Sequence, residues 1–306
     1  MKSISVNNIS KSYVDIQALN NLSFDVEQGE IYGIIGPDGA GKTTLFRILT
    51  TLMLADSGTV TVEGLDVIKD YKQIRSQIGY MPGKFSLYQD LTVEENLNFF
   101  ATIFHTTIRE NYYLIEDIYK QIEPFKKRRA GKLSGGMKQK LALSCALIHK
   151  PKVLFLDEPT TGVDPVSRKE FWEMLMKLKK QGISILVSTP YMDEASLCDR
   201  IALMRQGEFM QVDTPRNIVD TYPEILWTVQ SNQMHTLLND LRSYPLITSS
   251  FSFGEIIHIT VKKGITANEL NRFLTEKGHT DISIQTIQAT VEDCFMLMSN
   301  KKMKEQ

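Results

Sequence analysis

The sequence predicts an α/β protein with a mainly parallel core sheet, followed by a small C-terminal α+β domain. Apolar runs typical of buried strands alternate with segments of helical periodicity over most of the chain. A glycine-rich segment joins the first buried strand to a helix. Beyond residue 220 the pattern changes to short strands and helices in a different order. These observations define the fold class, and each element supports it in turn.

The N-terminal segment predicts an antiparallel sheet. Apolar and polar residues alternate in two stretches, which contain Ile4, Val6, Leu22, Phe24 and Val26. Tyr13 falls in a predicted turn between the two stretches. Its ring is either a packed surface aromatic or part of a binding site.

The glycine-rich segment fits the phosphate-binding pattern G-x-x-x-x-G-K-[ST]. It consists of Gly36, Pro37, Asp38, Gly39, Ala40, Gly41, Lys42 and Thr43. The buried strand Ile31–Ile35 precedes it, and an apolar helical face follows, with Leu45, Ile48, Leu49 and Leu52. Backbone N–H groups and the helix N-terminus would bind phosphate oxygens, Lys42 would reach the β- and γ-phosphates, and Thr43 would ligate Mg²⁺. A purely structural turn would leave Lys42 and Thr43 unexplained.

The middle of the chain predicts a helical insertion. Thr59–Val62 and Ile78–Pro82 read as short strands, after which Thr92 and Glu95 form a capping box. The helical stretch from about 92 to 149 is too long for a simple crossover, which indicates an inserted subdomain. Its basic run 126–129 is short and lacks interleaved aromatic residues, so a solvated loop is favoured over a nucleic-acid patch.

The next segments return to strand–helix alternation. Leu133–Met137 introduces a helix, and Asp164 with Pro165 has the form of an N-cap and first residue of another. Ile183–Thr189 predicts a buried strand, and a hairpin is predicted around Gln206-Gly207.

Two carboxylates follow the buried strand at 152–156. Asp157 is placed to hold Mg²⁺, and Glu158 beside it is placed to orient and deprotonate an attacking water. Many strands end in acidic residues, so this pattern alone is weak. It is informative here because a phosphate-binding loop precedes it in the expected order along the chain.

Composition narrows the class of protein. The formal net charge is −1, which argues against a nucleic-acid-coating surface. The three cysteines are scattered, which is typical of a reducing compartment and not of a disulfide framework or zinc site. The N-terminus shows no signal region, and no apolar run approaches the ~18 residues needed to span a bilayer. We therefore expect a cytoplasmic chain that binds no nucleic acid.

The motifs together identify a family. Over roughly residues 1–220 the chain resembles the nucleotide-binding subunit of an ABC transporter, with residues 221–306 as a β-α-β-β-α-β accessory domain. The matching pieces are Tyr13, Gly36–Thr44, Leu133–Gln139, Leu156–Pro159, Gly162–Pro165 and Ser188–Ala195.

The resemblance implies the roles of individual residues. In that family two cassettes enclose two ATP molecules head to tail, each held between one subunit's phosphate loop and the other's signature segment. Tyr13 would stack on adenine, and Thr44 would belong to the loop. Ser134, Gly135 and Gly136 would bind a partner's γ-phosphate through hydroxyl and backbone donors at a helix N-terminus. Asp164 would lie in the dimer interface, act as a plain helix cap, or do both.

The chain departs from the family pattern at three positions. Gly83 stands where the family has a glutamine that ligates Mg²⁺, contacts water and signals to the membrane subunit. Pro190 stands where a histidine contacts the γ-phosphate, and proline offers no imidazole and no N–H. Asp38 replaces a favoured asparagine. We therefore expect a site that binds MgATP but hydrolyses it poorly, and an intact signature segment that completes the site of a different cassette.

The overall resemblance is to subunits of multidrug, antibiotic or polysaccharide exporters, working with a separate transmembrane permease on the inner face of the cell membrane. The segment Thr290–Phe295 is similar to one that these subunits carry. A non-hydrolytic ATP-sensing subunit is the alternative. A non-transport ATPase acting on ribosomes or DNA is less favoured, because there is one phosphate loop and no sustained heptad insertion.

Overall fold

The computed structural model describes residues 1–84 and 86–304, with side chains up to residue 300, so the last two residues of the predicted C-terminal domain lie outside it. The chain forms two compact units, Met1–Pro215 and Arg216–Gln306. The strands of the first unit are β1 (Lys2–Tyr13), β2 (Ile16–Glu27), β3 (Ile31–Ile35), β4 (Ser57–Val62), β5 (Leu65–Asp66), β6 (Ile78–Met81), β7 (Val153–Asp157), β8 (Ser184–Thr189), β9 (Arg200–Arg205) and β10 (Glu208–Asp213). Its helices are α1 (Lys42–Leu49), α2 (Tyr71–Gln77), α3 (Val93–Ile103), α4 (Ile108–Tyr119), α5 (Gly135–Leu147) and α6 (Pro165–Lys180), with 3₁₀ turns at Glu123–Phe125, Ala130–Lys132 and Met192–Leu197.

The core sheet of the first unit has the strand order β10-β9-β3-β8-β7-β6. Its strands run parallel except β10, which pairs antiparallel with β9. Every residue of β3, β7 and β8 is buried, as expected for apolar runs covered on both faces. The carboxyl ends of these three strands therefore meet at one edge of the sheet, where ligands bind in folds of this kind.

A second, antiparallel sheet has the order β2-β1-β4-β5, which confirms the predicted pairing of the opening strands. Helix α1 contributes buried Leu45, Phe46, Ile48 and Leu49 to the core cluster that this sheet shares with the core sheet. Leu52 was expected on the same helical face, and this was wrong. Helix α1 ends at Leu49, Thr51 adopts a positive φ of 62°, and the Leu52 side chain is exposed.

Helices α3, α4 and α5 lie between β6 and β7 along the chain, while β6 and β7 pair directly in the core sheet, so the helical insertion leaves the sheet intact. The predicted capping box at the start of α3 is confirmed. The Thr92 hydroxyl accepts from the Glu95 N–H at 3.2 Å, and the Glu95 carboxylate accepts from the Thr92 N–H at 2.8 Å.

The second unit contains β11 (Ile225–Gln230), α8 (Met234–Ser243), β12 (Ile247–Phe253), β13 (Ile256–Val261), α9 (Ala267–Glu276), β14 (Ser283–Ile287) and α10 (Val291–Lys304), after α7 (Pro215–Asp220). Up to β14 this is the predicted β-α-β-β-α-β order, and the sheet order is β12-β13-β11-β14.

Two helices of this region were not foreseen, α7 and α10. The division between the units falls at 215/216 and not at 220/221, because α7 packs with the second unit. Its Ile218 is fully buried, and the Ile218 carbonyl accepts a hydrogen bond from Cys294 Sγ at 3.4 Å. Among the residues described, no helix is long and apolar enough to cross a membrane.

Candidate functional site

The phosphate loop links the end of β3 to α1, as its motif requires, and its glycines are fixed by close backbone contacts. A Cβ on Gly36 would lie 2.2 Å from the Met204 carbonyl oxygen, and one on Gly41 would lie 2.4 Å from that of Ala18. Gly41 also has a φ of 108°, in the region that glycine tolerates. Both positions therefore exclude any larger residue.

Lys42 is almost fully buried and bonded within the loop. Its Nζ donates to the carbonyl oxygens of Gly36 at 2.7 Å and Pro37 at 2.9 Å. The same ammonium forms an ion pair with Glu158 Oε1 at 3.0 Å. A cation held in this way is positioned where a phosphate would replace the carboxylate as its counter-charge.

Asp157 ends strand β7 beside the start of α1. Burial raises the pKa of Asp157 above its usual value, while hydrogen bonds from the hydroxyls of Ser188 and Thr43 lower it. The Ser188 Oγ bond to Asp157 Oδ1 is 2.7 Å long. A hydroxyl and a buried carboxylate in contact are the ligand types that Mg²⁺ prefers, so Thr43 and Asp157 fit the predicted metal role.

Glu158 adopts a backbone conformation that is unusual for a non-glycine residue, with a φ of 51°. Its N–H donates to the carbonyl and hydroxyl oxygens of Ser188, at 3.1 and 3.0 Å. These bonds hold the left-handed turn and direct the carboxylate toward Lys42. Strain of this kind is often found at functional sites.

A cavity of about 470 Å³ opens beside the loop. The structure brings together here the predicted residues Asp38, Gly39, Gly41, Lys42, Thr43, Thr44 and Glu158. Sequence reasoning missed its other wall, which is formed by Ile16, Gln17, Ala18 and Gln206. The signal available for this wall was the Gln206-Gly207 turn. Gly207 N donates to the Ala40 carbonyl at 2.9 Å, so the turn supports the phosphate loop.

Tyr13 is the last residue of β1 and does not lie in a turn, which corrects its predicted placement. The strand continues because Tyr13 still pairs with Ile16, leaving only Val14 and Asp15 to reverse the chain. The Tyr13 ring is partly exposed, and its hydroxyl contacts Met53 Sδ at 3.0 Å and Thr44 Oγ1 at 3.4 Å. Its hydroxyl thus lies beside the helix that follows the loop.

Gly83 and Pro190 both lie next to this site. A Cβ on Gly83 would lie 3.0 Å from the Asp157 carbonyl oxygen and 3.8 Å from Asp157 Oδ2. Position 83 therefore adjoins the carboxylate predicted to hold metal, and no side chain extends from it. Pro190 directly follows Thr189, whose carbonyl accepts from the Gly36 N–H at 3.2 Å.

The remaining predicted residues do not line this cavity. Ser134 caps α5 by accepting from the Met137 N–H at 3.3 Å, and Ser134 and Gly135 are exposed. Asp164 caps α6 by accepting from the Ser167 N–H at 3.0 Å, which lowers the pKa of Asp164. The structure thus confirms the predicted N-cap and the Pro165 start of α6.

The sheet order, the strand–loop–helix unit and the acidic strand end together define a class, the nucleotide-binding ATPase cassettes. Residues 19–161 match the family described as ABC transporter. The chain is 39% identical over 310 residues to the daunorubicin resistance ATP-binding protein DrrA2 of Streptomyces coeruleorubidus, a match that covers 96% of this chain and 94% of the relative. The chain belongs to the ATP-binding proteins of the ABC transporter family, and these proteins are ATPases.

Further relatives and solved structures agree. The Nod factor export ATP-binding protein I of Burkholderia lata is 32% identical over 308 residues, covering 99% of this chain and 98% of the relative. The probable multidrug ABC transporter ATP-binding protein YbhF of Escherichia coli K12 is 39% identical over 299 residues, covering 96% of this chain. The chain spans only about half of that relative, 51% of its length.

Among solved structures, cbiO1 of Clostridium perfringens, part of the transporter complex cbiONQ, has a TM-score of 0.65 at 26% identity, covering 72% of this chain and 91% of its own. The cassette MJ0796, a dimer in a post-hydrolysis state with ADP and Pi, has a TM-score of 0.63 at 26% identity, covering 69% and 98%. These likenesses cover the cassette and confirm its predicted fold class.

Proposed function

We propose that this chain is the ATP-binding subunit of an ABC exporter, in which MgATP binding at a head-to-tail cassette dimer drives a separate membrane permease. Family membership supports the ATP-binding role. The names of three relatives, which refer to multidrug transport, Nod factor export and daunorubicin resistance, support export. Such a subunit works on the inner face of the cell membrane.

The chain's own residues supply binding and orientation. The loop N–H groups and Lys42 bind phosphate oxygens, and the nucleotide displaces Glu158 from its ion pair with Lys42. Thr43 and Asp157 would hold Mg²⁺, which neutralises phosphate charge when bound. Freed from Lys42, Glu158 orients an attacking water and accepts its proton.

Weak hydrolysis at this chain's own site is inferred from Gly83, which has no side chain and lies beside Asp157. Without the glutamine and the histidine found in the family, this site lacks two preorganised groups, and removing one such group costs ~10²–10³ in rate. We infer that the site hydrolyses ATP weakly. The exposed Ser134 and Gly135 would complete the site of a second cassette that keeps both groups.

A cleft of about 360 Å³ offers a place for the permease. Its lining includes Met81 and Pro82, which directly precede Gly83, and the rings of Phe100 and Phe104. An amphipathic helix with its apolar face inward is the kind of segment that fits a groove of this composition.

ATP turnover by the purified chain tests the proposal. We expect weak activity from the natural sequence and a rise of at least about tenfold in the Gly83→Gln/Pro190→His variant. The matched control adds Glu158→Gln to that variant and should return turnover to background. Vigorous turnover by the natural chain alone, lost on Glu158→Gln, would contradict the weak site.

The partners are tested by co-purification with the tagged chain from its native cells. Recovery of a membrane subunit together with a second cassette is expected. Recovery of a membrane subunit with this chain as the sole cassette would contradict the asymmetric pair.

Gly83 and Pro190 also favour the second candidate, a non-hydrolytic ATP-sensing subunit. This candidate predicts tight MgATP binding with no turnover at either site, even in the complex recovered by co-purification. Turnover in that complex would exclude it.

A further inference from the structure

One arginine joins helix α6 to the segment that follows strand β8. The Arg168 guanidinium lies over the Tyr191 ring, with 4.9 Å from its central carbon to the ring centre. Its Nη2 donates to Asp193 Oδ2 at 2.9 Å, and its Nε lies 3.8 Å from Glu194 Oε1. A single side chain on α6 thus holds three residues of the segment Pro190–Leu197.

The contact with Glu194 places the Arg168 charge near a buried carboxylate. Glu194 is only 2% exposed, and neither carboxylate oxygen receives a hydrogen bond within the part of the chain that the structure describes. A buried carboxylate without a counter-charge is strongly unfavourable, so its position depends on Arg168. The segment is therefore held to α6 by charge as well as by stacking.

The backbone of Arg168 also contacts the start of helix α6, at Asp164. Its N–H donates to the Asp164 carbonyl at 2.9 Å, and the Asp164 side chain caps the same helical turn through Ser167. Ser167 in turn packs against Gly136, where a Cβ would lie 2.6 Å from Ser167 Oγ. The first turn of α6 thus contacts helix α5 through Gly136 and the Pro190–Leu197 segment through Arg168.

We propose that Arg168 is a positioning residue that couples the loop at Gly162–Asp164 to the segment Pro190–Leu197. In this chain Pro190 cannot report on a phosphate through an imidazole, so the segment takes its position from α6. The biological meaning of this coupling rests on the proposed function. A second cassette bound beside Ser134–Gly136 would then shift the segment Pro190–Leu197 at the chain's own site through Arg168.

A double-mutant cycle read by amide hydrogen exchange tests the coupling in the nucleotide-free chain. Asp164→Ala disturbs one end, and the exchange of residues 191–197 is read at the other. We expect Asp164→Ala to speed this exchange about three- to tenfold when Arg168 is present, and less than about twofold in the Arg168→Ala background. If Arg168 had a merely structural role, the effects of Asp164→Ala and Arg168→Ala on the exchange rate would multiply.

Two further variants keep the test decisive. Because Arg168→Ala leaves Glu194 buried without its counter-charge, the pair Arg168→Gln/Glu194→Gln removes the contact without that penalty and should also abolish transmission. Lys169→Ala, an exposed neighbour on α6, is the matched control and should leave transmission intact. Equal responses to Asp164→Ala in all backgrounds, or none in the natural chain, would overturn the proposal.

A separate measurement distinguishes this inference from the proposed function. Arg168 does not line the cavity beside the phosphate loop, so Arg168→Ala should keep MgATP affinity within about twofold. If the natural chain bound no MgATP, the proposed function would fail, while the exchange cycle, which contains no nucleotide, would still decide whether Arg168 couples the two segments.

Discussion

Two glycine-rich segments of this chain lead into helices, one into α1 and one into α5, and they differ in helix capping and in burial. The N-cap of α1 is Gly41, which offers no side-chain cap, and the adjoining Lys42 is buried against internal partners. The N-cap of α5 is Ser134, which satisfies its own helix and stays exposed with Gly135. In the phosphate loop, Lys42 must give up its bonds within the chain to bind a ligand. In the segment at Ser134 the helix cap is already formed, and the segment is exposed to solvent.

The surroundings of the two segments differ in the same direction. Under the proposed function, Gly83 and Pro190 stand beside the phosphate loop in place of two groups that hydrolysis uses, whereas the residues of Leu133–Met137 match the family pattern. The proposal therefore predicts that binding and turnover are separable in this chain. Four substitutions test the contrast between the two segments, in order of decreasing expected effect.

Lys42→Ala should have the largest effect on nucleotide binding. Removing the buried ammonium deletes a charged donor to phosphate, so MgATP affinity should fall on the order of 100-fold, as measured by calorimetry. Lys169→Ala on α6 serves as the matched control and should bind normally. Unchanged affinity in Lys42→Ala would remove the basis for treating the phosphate loop as the binding side.

Glu158→Gln should act in the opposite direction. The nucleotide no longer has to displace a carboxylate from Lys42, so its affinity should rise about tenfold in the same titration. Glu158→Asp keeps the charge and is the control, with affinity near that of the natural chain. A loss of affinity in Glu158→Gln would show that the ion pair with Lys42 supports binding and does not compete with it.

Gly136→Ala tests the signature side. The new Cβ would lie 2.6 Å from Ser167 Oγ, so the free energy of unfolding should fall by about 1–3 kcal/mol in urea titrations, while MgATP affinity stays unchanged. Gly135→Ala is the control, because its Cβ would meet only the Gly162 carbonyl, at 3.3 Å. If Gly136→Ala weakened nucleotide binding to the isolated chain, the two segments would not be independent.

The smallest effect concerns pH. The Ser167 N–H lowers the pKa of Asp164, so the charged cap favours the folded helix above the usual aspartate pKa of 3.8 and is lost as the pH falls below it. The protection factors of the amides at 162–167, that is, their exchange relative to the intrinsic rate at each pH, should therefore fall in acid. Asp164→Asn still caps the helix but does not titrate there, and the acid-dependent step at 162–167 should disappear. A step of the same size in Asp164→Asn would assign the pH dependence to another group.

The sequence predicted the parts of this site that are local along the chain. Strand Ile31–Ile35, the loop and α1 are consecutive, so spacing alone located them, and Asp157 was predicted because it directly follows four apolar residues. The Thr92 and Asp164 caps were equally local. Each of these depends on neighbours within a few positions, which a single sequence displays.

What could not be predicted depends on the order of strands in the sheets. Ala18 and Gln206 reach the cavity because β2 and the β9–β10 turn lie beside the loop in space. The bonds of Arg168 to Asp193 and Glu194 span about 25 positions and form only because α6 packs near the end of β8. No periodicity or motif carries these contacts.

The close approach of Gly83 to Asp157 also affects any side chain introduced at position 83. A glutamine introduced at position 83 would place its Cβ 3.0 Å from the Asp157 carbonyl oxygen, so the backbone beside the carboxylate proposed to hold Mg²⁺ must move by a few tenths of an ångström. An introduced glutamine therefore costs a local adjustment, and the gain in turnover is what remains after that adjustment.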